Sequence, residues 1–199
     1  MRVTQQTKEE TRIRILKAAQ QLFRSEGFAE TRTKQIAQEA GIAAGTLFNY
    51  FPTKEAVAAA LADGALQAAD TAFRKQADVP ESLEEALFAY IATGLRKLRP
   101  HRSYISAIPE QFLNPLTENG PASPAACIRT RLLETLAELM HERGFEEPAT
   151  SVECQLFQTL YTGILSFWGS DRSPHQEDTL ALLDQSIRMF VNWLQRCRT

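Results

Sequence analysis

The stretch TKQIAQEAGIAAGTLFNYF, from Thr33 to Phe51, decides how this chain is read. Its spacing predicts two short helices, about Thr33 to Ala40 and about Ala44 to Tyr50, joined by a tight turn. Ile36 and Ala40 give the first helix an apolar edge, and Ala37 is small where a second helix crosses closely. Gly41 supplies the positive φ that lets the chain reverse within a few residues, and Ile42 and Leu47 fill the wedge between the helices. A pair that shares one small core with a preceding helix is rigid, so its second helix can enter a major groove in a fixed orientation. The residues exposed on that helix are Ala43, Ala44, Gly45, Thr46, Asn49 and Tyr50. Thr46 can donate to a phosphate oxygen, Asn49 can pair with a base edge or a phosphate, and the Tyr50 hydroxyl can reach the backbone. Lys54 brings charge and a helix start toward the phosphates. A helical hairpin that merely packs has the same Ala-x-x-x-Gly spacing, so spacing alone leaves that reading open.

Outward from this stretch almost everything reads as helix. Lys8 to Ser25 puts Ile15, Leu16, Ala19, Leu22 and Phe23 on one face, and Gly27 follows where a left-handed C-terminal cap belongs. Pro52 stops the helix before it, and Thr53 is placed to cap a long alanine-rich helix, Lys54 to about Lys75, with Gly64 at its middle as a bend or a close contact. Residues 77–81 (ADVPE) break the pattern. Further helices run from Ser82 to Lys97, briefly from His101 to Phe112, and from Ala125 to Arg143, Thr150 to Trp168 and Asp178 to Arg196. Asn114 to Pro124 is a loop. No alternating strand pattern and no hairpin turn appear. The expected class is all-α with about nine helices. An N-terminal head (8–54, with its linking helix to about 75) precedes a helical body (76–199).

Composition narrows the function classes. Residues 1–54 hold nine Lys or Arg against five Asp or Glu, and the rest holds thirteen against nineteen, a basic head on an acidic body. A polyanion would therefore meet the head. No apolar run is long enough to span a bilayer, and the first ten residues do not resemble a secretory signal. The three scattered cysteines, Cys127, Cys154 and Cys197, fit reduced thiols, so a cytoplasmic chain with no membrane partner is expected. The histidines His101, His141 and His175 are far apart, and no metalloprotease, nucleophile-elbow, phosphate-loop or cofactor pattern appears. An enzyme, a metal site and a bound cofactor are not expected. A nonspecific nucleoid-type DNA binder is disfavoured by the acidic body.

From Thr11 to Val57 the chain resembles the DNA-binding head of the tetracycline-repressor (TetR) family. The matching pieces are Arg14 to Phe23 (RILKAAQQLF), Gly27 to Thr31 (GFAET), Ile36-Ala37, and above all Ala40 to Glu55 (AGIAAGTLFNYFPTKE). The resemblance implies a ligand-responsive transcriptional regulator, by default a repressor, that binds an inverted-repeat operator as a homodimer and is released by a small-molecule effector. It implies DNA contacts from Thr46, Tyr50 and Lys54, with Ala44 and Gly45 leading the recognition helix. Two positions depart from the pattern. Phe48 replaces a tyrosine whose hydroxyl touches a phosphate, and Arg32 stands where a Ser or Thr cap is usual. Either Thr33 caps one residue later or Arg32 makes a phosphate contact itself, with Lys34 beside it.

In the body, the resemblance implies a ligand pocket and a dimer interface. The aromatic residues Phe88, Tyr90, Tyr104, Phe112, Phe157, Tyr161 and Trp168 are the pocket candidates, with hydroxyls on Tyr104 and Tyr161 as polar handles. Leu156, Leu160 and Ile164 on one late helix, and Leu183, Ile187 and Phe190 on the last, are the candidates for a four-helix dimer interface. Burial within one subunit would produce the same apolar stripes.

Overall fold

The computed structural model describes residues 5–76, 80–105 and 124–198. Among these residues all regular structure is helical, as expected, and no strand occurs. The chain divides into two compact units, Met1–Ala62 and Asp63–Thr199.

In the first unit α1 (Gln5–Ser25) buries Thr11, Ile15, Ala18, Ala19 and Phe23 along one face. Gly27 takes φ +88°, the left-handed cap expected there. The Thr31 hydroxyl donates to its carbonyl at 2.7 Å and closes the turn. Next come α2 (Thr33–Glu39) and α3 (Ala44–Tyr50), with Gly41 between them at φ +65°. A Cβ at Gly41 would meet nothing closer than 3.9 Å, so backbone conformation rather than crowding selects glycine. Ile36 and Leu47 are fully buried, while Ile42, the other residue expected to fill the wedge, is only half-buried. The Thr53 hydroxyl accepts the Ala56 N–H at 3.1 Å and starts α4 (Lys54–Arg74).

The start of α2 resolves the capping question. The helix begins at Thr33 with Arg32 as its N-cap in extended conformation. Thr33 therefore does not cap one residue later. A guanidinium has no acceptor, so only half a capping box forms: the Arg32 N–H donates to Gln35 Oε1 at 2.7 Å. The Gln35 amide then donates to Glu26 at 2.8 Å, and the Arg32 side chain remains exposed.

The second unit contains the rest of α4 with α5 (Leu83–Leu98), a 3₁₀ turn (Arg99–His101), α6 (Arg102–Ile105), α7 (Pro124–His141), α8 (Ser151–Ser170) and α9 (Glu177–Cys197). Gly64 is exposed and has no neighbour within 4 Å, so it marks no close contact. Ser82 with Glu85, and Thr150 with Glu153, form complete capping boxes at the starts of α5 and α8. Helix α9 packs on both α5 and α8, and α7 packs on α5. Leu87, Ile91, Phe157, Leu183, Ile187 and Leu194 fill the centre. Two arginines tie helix ends together around this core. Arg143 donates to the carbonyls of Pro80, Ser82 and Leu139. Arg198 grips the Glu153 carboxylate with Nε and Nη2, at 2.9 and 2.6 Å. That bidentate pair, with the Thr150 N–H, holds the Glu153 carboxyl at about 2. The expected loop over Asn114 to Pro124, and most of the expected short helix from His101 to Phe112, lie outside the described residues; Pro124 opens α7.

Candidate functional site

The first unit presents a helix that is anchored on one side and unused on the other. Leu47 pins α3 at 0 % exposure, while Ala43, Ala44, Gly45 and Asn49 are exposed, and Thr46 and Tyr50 are half-buried at the edges. Nothing lies within 4 Å of a Cβ built at Gly45. Phe48 is half exposed, so its ring joins this surface rather than the core. Arg32 and Lys34 are exposed and Thr33 is half-buried around the start of α2. Rigidity comes from beneath: Phe23 and Phe28 meet edge to face at 5.0 Å, and the Arg12 guanidinium stands 5.9 Å over the Phe51 ring.

Lys54 is placed differently from the other candidates. Its ammonium donates to the carbonyls of Phe28 and Ala29, at 2.7 and 3.1 Å, and sits 4.5 Å from the Phe28 ring centre. Two of its three donors therefore hold the start of α4 against the turn after α1. This long-range role, across 26 residues, had no signal in the sequence.

In the second unit a small, partly enclosed cavity of about 10 Å³, room for one water, lies among α4, α5, α7 and α8. Its walls include Leu66, Ile91, Gly94, Ile128 and Leu132, with Tyr90, Tyr161 and Arg131 as the polar members. Gly94 leaves space that Leu66 fills, since a Cβ there would meet the Leu66 side chain at 3.4 Å. Arg131 Nη2 donates to Asp63 Oδ1 at 2.9 Å, and Gln67 donates to the other Asp63 oxygen at 2.9 Å. Arg131 Nη1 is buried with no acceptor. Burial raises the Tyr90 and Tyr161 hydroxyls above the usual tyrosine range, so both stay protonated donors at neutral pH. Farther along the same two helices, Arg74 pairs with Glu138 at 2.6 Å.

The aromatic candidates scatter over several environments. Tyr161 lines the cavity. Phe157 is in the core, 5.4 Å from the Phe190 ring, and Tyr104 is buried in hydrogen bond with His101. Burial also holds the His101 pKa below the ordinary histidine value. Phe88 and Trp168 line a separate surface groove, and Phe112 lies outside the described residues. Of the polar groups at the cavity, Arg131 is absent from the sequence-based set, as is its ion-pair partner Asp63. Asp63 had one available signal, a carboxylate interrupting the run Ala58 to Ala62 on the buried side of α4.

The interface candidates divide as well. Ile164, Leu183, Ile187 and Phe190 are buried in the chain's own core, Leu160 is half-buried, and Leu156 is exposed. The apolar residues that face outward sit beside them. On α8 these are Val152 (61 % exposed), Leu156 and Phe167, aligned with the open Gly163, and on α9 they are Leu180, Leu182 and Met189 (64 %).

Residues 15–61 match the family described as bacterial regulatory proteins, tetR family. A 59-residue segment is 42 % identical to the HTH-type transcriptional regulator EthR of Mycolicibacterium smegmatis, covering 30 % of this chain and 27 % of that relative's length. The fold is similar to that of Thermus thermophilus FadR, a TetR-family transcriptional repressor solved with lauroyl-CoA. The TM-score is 0.71 at 26 % identity, covering 90 % of this chain and 93 % of that one. A TetR transcriptional regulator from Rhodococcus sp. RHA1 shares the fold at a TM-score of 0.67 and 20 % identity, over 92 % and 96 % of the two chains. Among the described residues no helix is long and apolar enough to cross a membrane.

Proposed function

Since this chain belongs to the tetR family of bacterial regulatory proteins, we propose that it is a ligand-responsive transcriptional regulator that represses from an inverted-repeat operator as a homodimer. The observation that carries this reading is α3: a helix locked by Leu47 whose outer face has no internal role. Ala44 and Gly45 let that face approach a groove floor closely, Thr46 and Tyr50 bring hydroxyls to the backbone, and Asn49 meets a base edge. Arg32 and Lys34 add phosphate contacts at the start of α2, and Thr33 lies between them. Lys54 holds the turn and keeps one donor for a phosphate.

One such head contacts too few base pairs for specific affinity, so a symmetric pair about 34 Å apart reads two half-sites. The outward apolar stripes of α8 and α9, with Gly163 allowing close approach, are suited to a four-helix contact with a second copy. The effector is taken to enter the cavity beside Arg131. Its walls are apolar and its polar groups few, which suits a ligand with an apolar body, as the lauroyl-CoA of the Thermus thermophilus relative has. Because the cavity holds about one water, entry must part its walls. One of those walls is α4, which is continuous with the head, so ligand binding shifts the population of head arrangements and weakens DNA binding.

Selection of bound sequences from a random duplex library, repeated at two salt concentrations, tests the reading. Recovery of one inverted repeat with a steep salt dependence is the expected result. Recovery of no preferred sequence would overturn operator recognition.

A further inference from the structure

The strongest unassigned feature of the body is a surface groove of about 510 Å³, which shares no lining residue with the one-water cavity. Arg96, Arg99 and Arg102 stand together along it, and no lining residue is a carboxylate. Phe88, Leu95 and Trp168 give it an apolar floor. Clustering three guanidinium groups is unfavourable by mutual repulsion unless an anion joins them.

Three further observations point the same way. Arg102 is held in place rather than loose: it donates through Nε to the Trp168 carbonyl at 2.9 Å and through Nη2 to the Asp171 carbonyl. Its guanidinium lies 5.7 Å over the Trp168 ring. Trp168 itself is 1 % exposed, yet its indole N–H has no acceptor, an unusual state for a buried donor. On the opposite rim His175 and Gln176 are consecutive non-glycine residues with positive φ, +54° and +62°. Strain of that kind concentrates at ligand clamps. The carboxylate of Asp171, whose carbonyl Arg102 bonds, is engaged elsewhere: its oxygens accept from the N–H and hydroxyl groups of Ser173 and Thr179.

We infer that this groove is a binding site for a phosphate monoester carried on an apolar or aromatic body. The phosphate lies among the three arginines: Arg99 offers paired N–H groups to its terminal oxygens, Arg96 the donors left free by its bond to the Thr93 hydroxyl, and Arg102 its Nη1 donors, since its Nε and Nη2 are held by carbonyls. The apolar body covers Phe88, Leu95 and the edge of Trp168, and supplies the indole N–H with an acceptor through its ester oxygen or a substituent. A groove of this size is ordinary for a small organic ligand. An acidic peptide would satisfy the arginines alone and leave the apolar floor uncovered. The site goes beyond the effector cavity and does not depend on the head.

The test is a titration of the full chain with 1-naphthyl phosphate, 1-naphthol and inorganic phosphate, by calorimetry at about 0.15 M salt. Saturable one-to-one binding of 1-naphthyl phosphate is expected, at least about tenfold tighter than either fragment. Arg99→Gln and Arg96→Gln, both at exposed positions, are each expected to weaken it about fivefold or more; Arg99→Gln should leave the melting temperature unchanged, whereas Arg96→Gln also loses its bond to the Thr93 hydroxyl. Absence of saturation by about 1 mM, or equal affinity for the phosphate ester and 1-naphthol, overturns the inference. So does binding that neither arginine substitution alters. DNA binding plays no part in the titration, so failure of operator recognition and failure of this site would be seen separately.

Discussion

Replacing Gly45 with glutamate should move stability and DNA affinity in opposite directions. A Cβ at Gly45 has nothing within 4 Å, and the residue is exposed in the first turn of α3, so the side chain enters open space. Glycine is a poorer helix former than glutamate by about 0.5 kcal/mol, and a carboxylate in a first turn adds about 0.3–1 kcal/mol. The protein alone should therefore gain about 1 kcal/mol, a rise of roughly 4–8 °C in the melting of the head. Against DNA the same carboxylate faces phosphates. A like-charge pair at about 4 Å costs about 1 kcal/mol in bulk water and about 4 kcal/mol near a protein surface. A loss of about 3 kcal/mol per head corresponds to more than a hundredfold in affinity. Calorimetric melting and fluorescence anisotropy with the selected operator duplex measure the two effects on the same sample. Gly64→Glu is the control, also exposed on a helix with no neighbour within 4 Å, and should stabilise without changing affinity. If Gly45→Glu binds operator as well as the parent chain does, α3 does not lie in the groove and the assignment of its outer face is wrong.

Other expectations follow from single contacts. Lys54→Met removes two charge-assisted hydrogen bonds and a ring contact. It should lower head stability by about 2 kcal/mol and, through the donor kept for a phosphate, reduce the salt slope of DNA binding by about 0.9. A slope reduced by about 0.9 with unchanged melting would instead make Lys54 chiefly a phosphate ligand. Glu153→Gln breaks a pair whose carboxylate is 3 % exposed, and should cost about 3 kcal/mol at pH 7 in urea unfolding at fixed protein concentration. The Glu153 pKa is depressed on folding, so its contribution is complete above about 4.5 and fades as pH falls toward about 2. Parent and variant curves should converge in acid, and parallel pH profiles would rule the charge out as the cause. Gly163→Arg places a charge on the outward stripe of α8 and should weaken self-association about a hundredfold in sedimentation, with protomer folding intact. A dimer of unchanged strength would move the interface elsewhere.

Much of the head was legible because its determinants are local. The left-handed turns at Gly27 and Gly41 depend on the sign of φ at one residue, and the cap at Thr53 on a hydroxyl three residues from its donor. The packing of Ile15, Ala19 and Phe23 follows from helical periodicity alone. Such features are set by nearest neighbours along the chain, so the helical class and the turn between α2 and α3 could be read before any coordinates existed. The start of α2 was ambiguous because arginine cannot cap, and only the Gln35 bond shows how the first turn is closed instead.

The body was legible only in outline. Helices α8 and α9 each carry apolar residues on two sides, and periodicity cannot say which side meets the rest of the protomer. Packing of α9 on α5 and α8 turned Leu183, Ile187 and Phe190 inward and left Leu182 and Met189 outside. The charged pairs were equally hidden. Asp63 and Arg131 are 68 positions apart, Glu153 and Arg198 are 45 apart, and opposite charges at such separations carry no pattern. The sequence by itself determined the helical class and the geometry of the helix-turn-helix, because backbone conformation there answers to adjacent residues. Tertiary structure alone decided the cavity, the arginine groove and the outward stripes, because each exists only where helices distant in sequence are brought into contact.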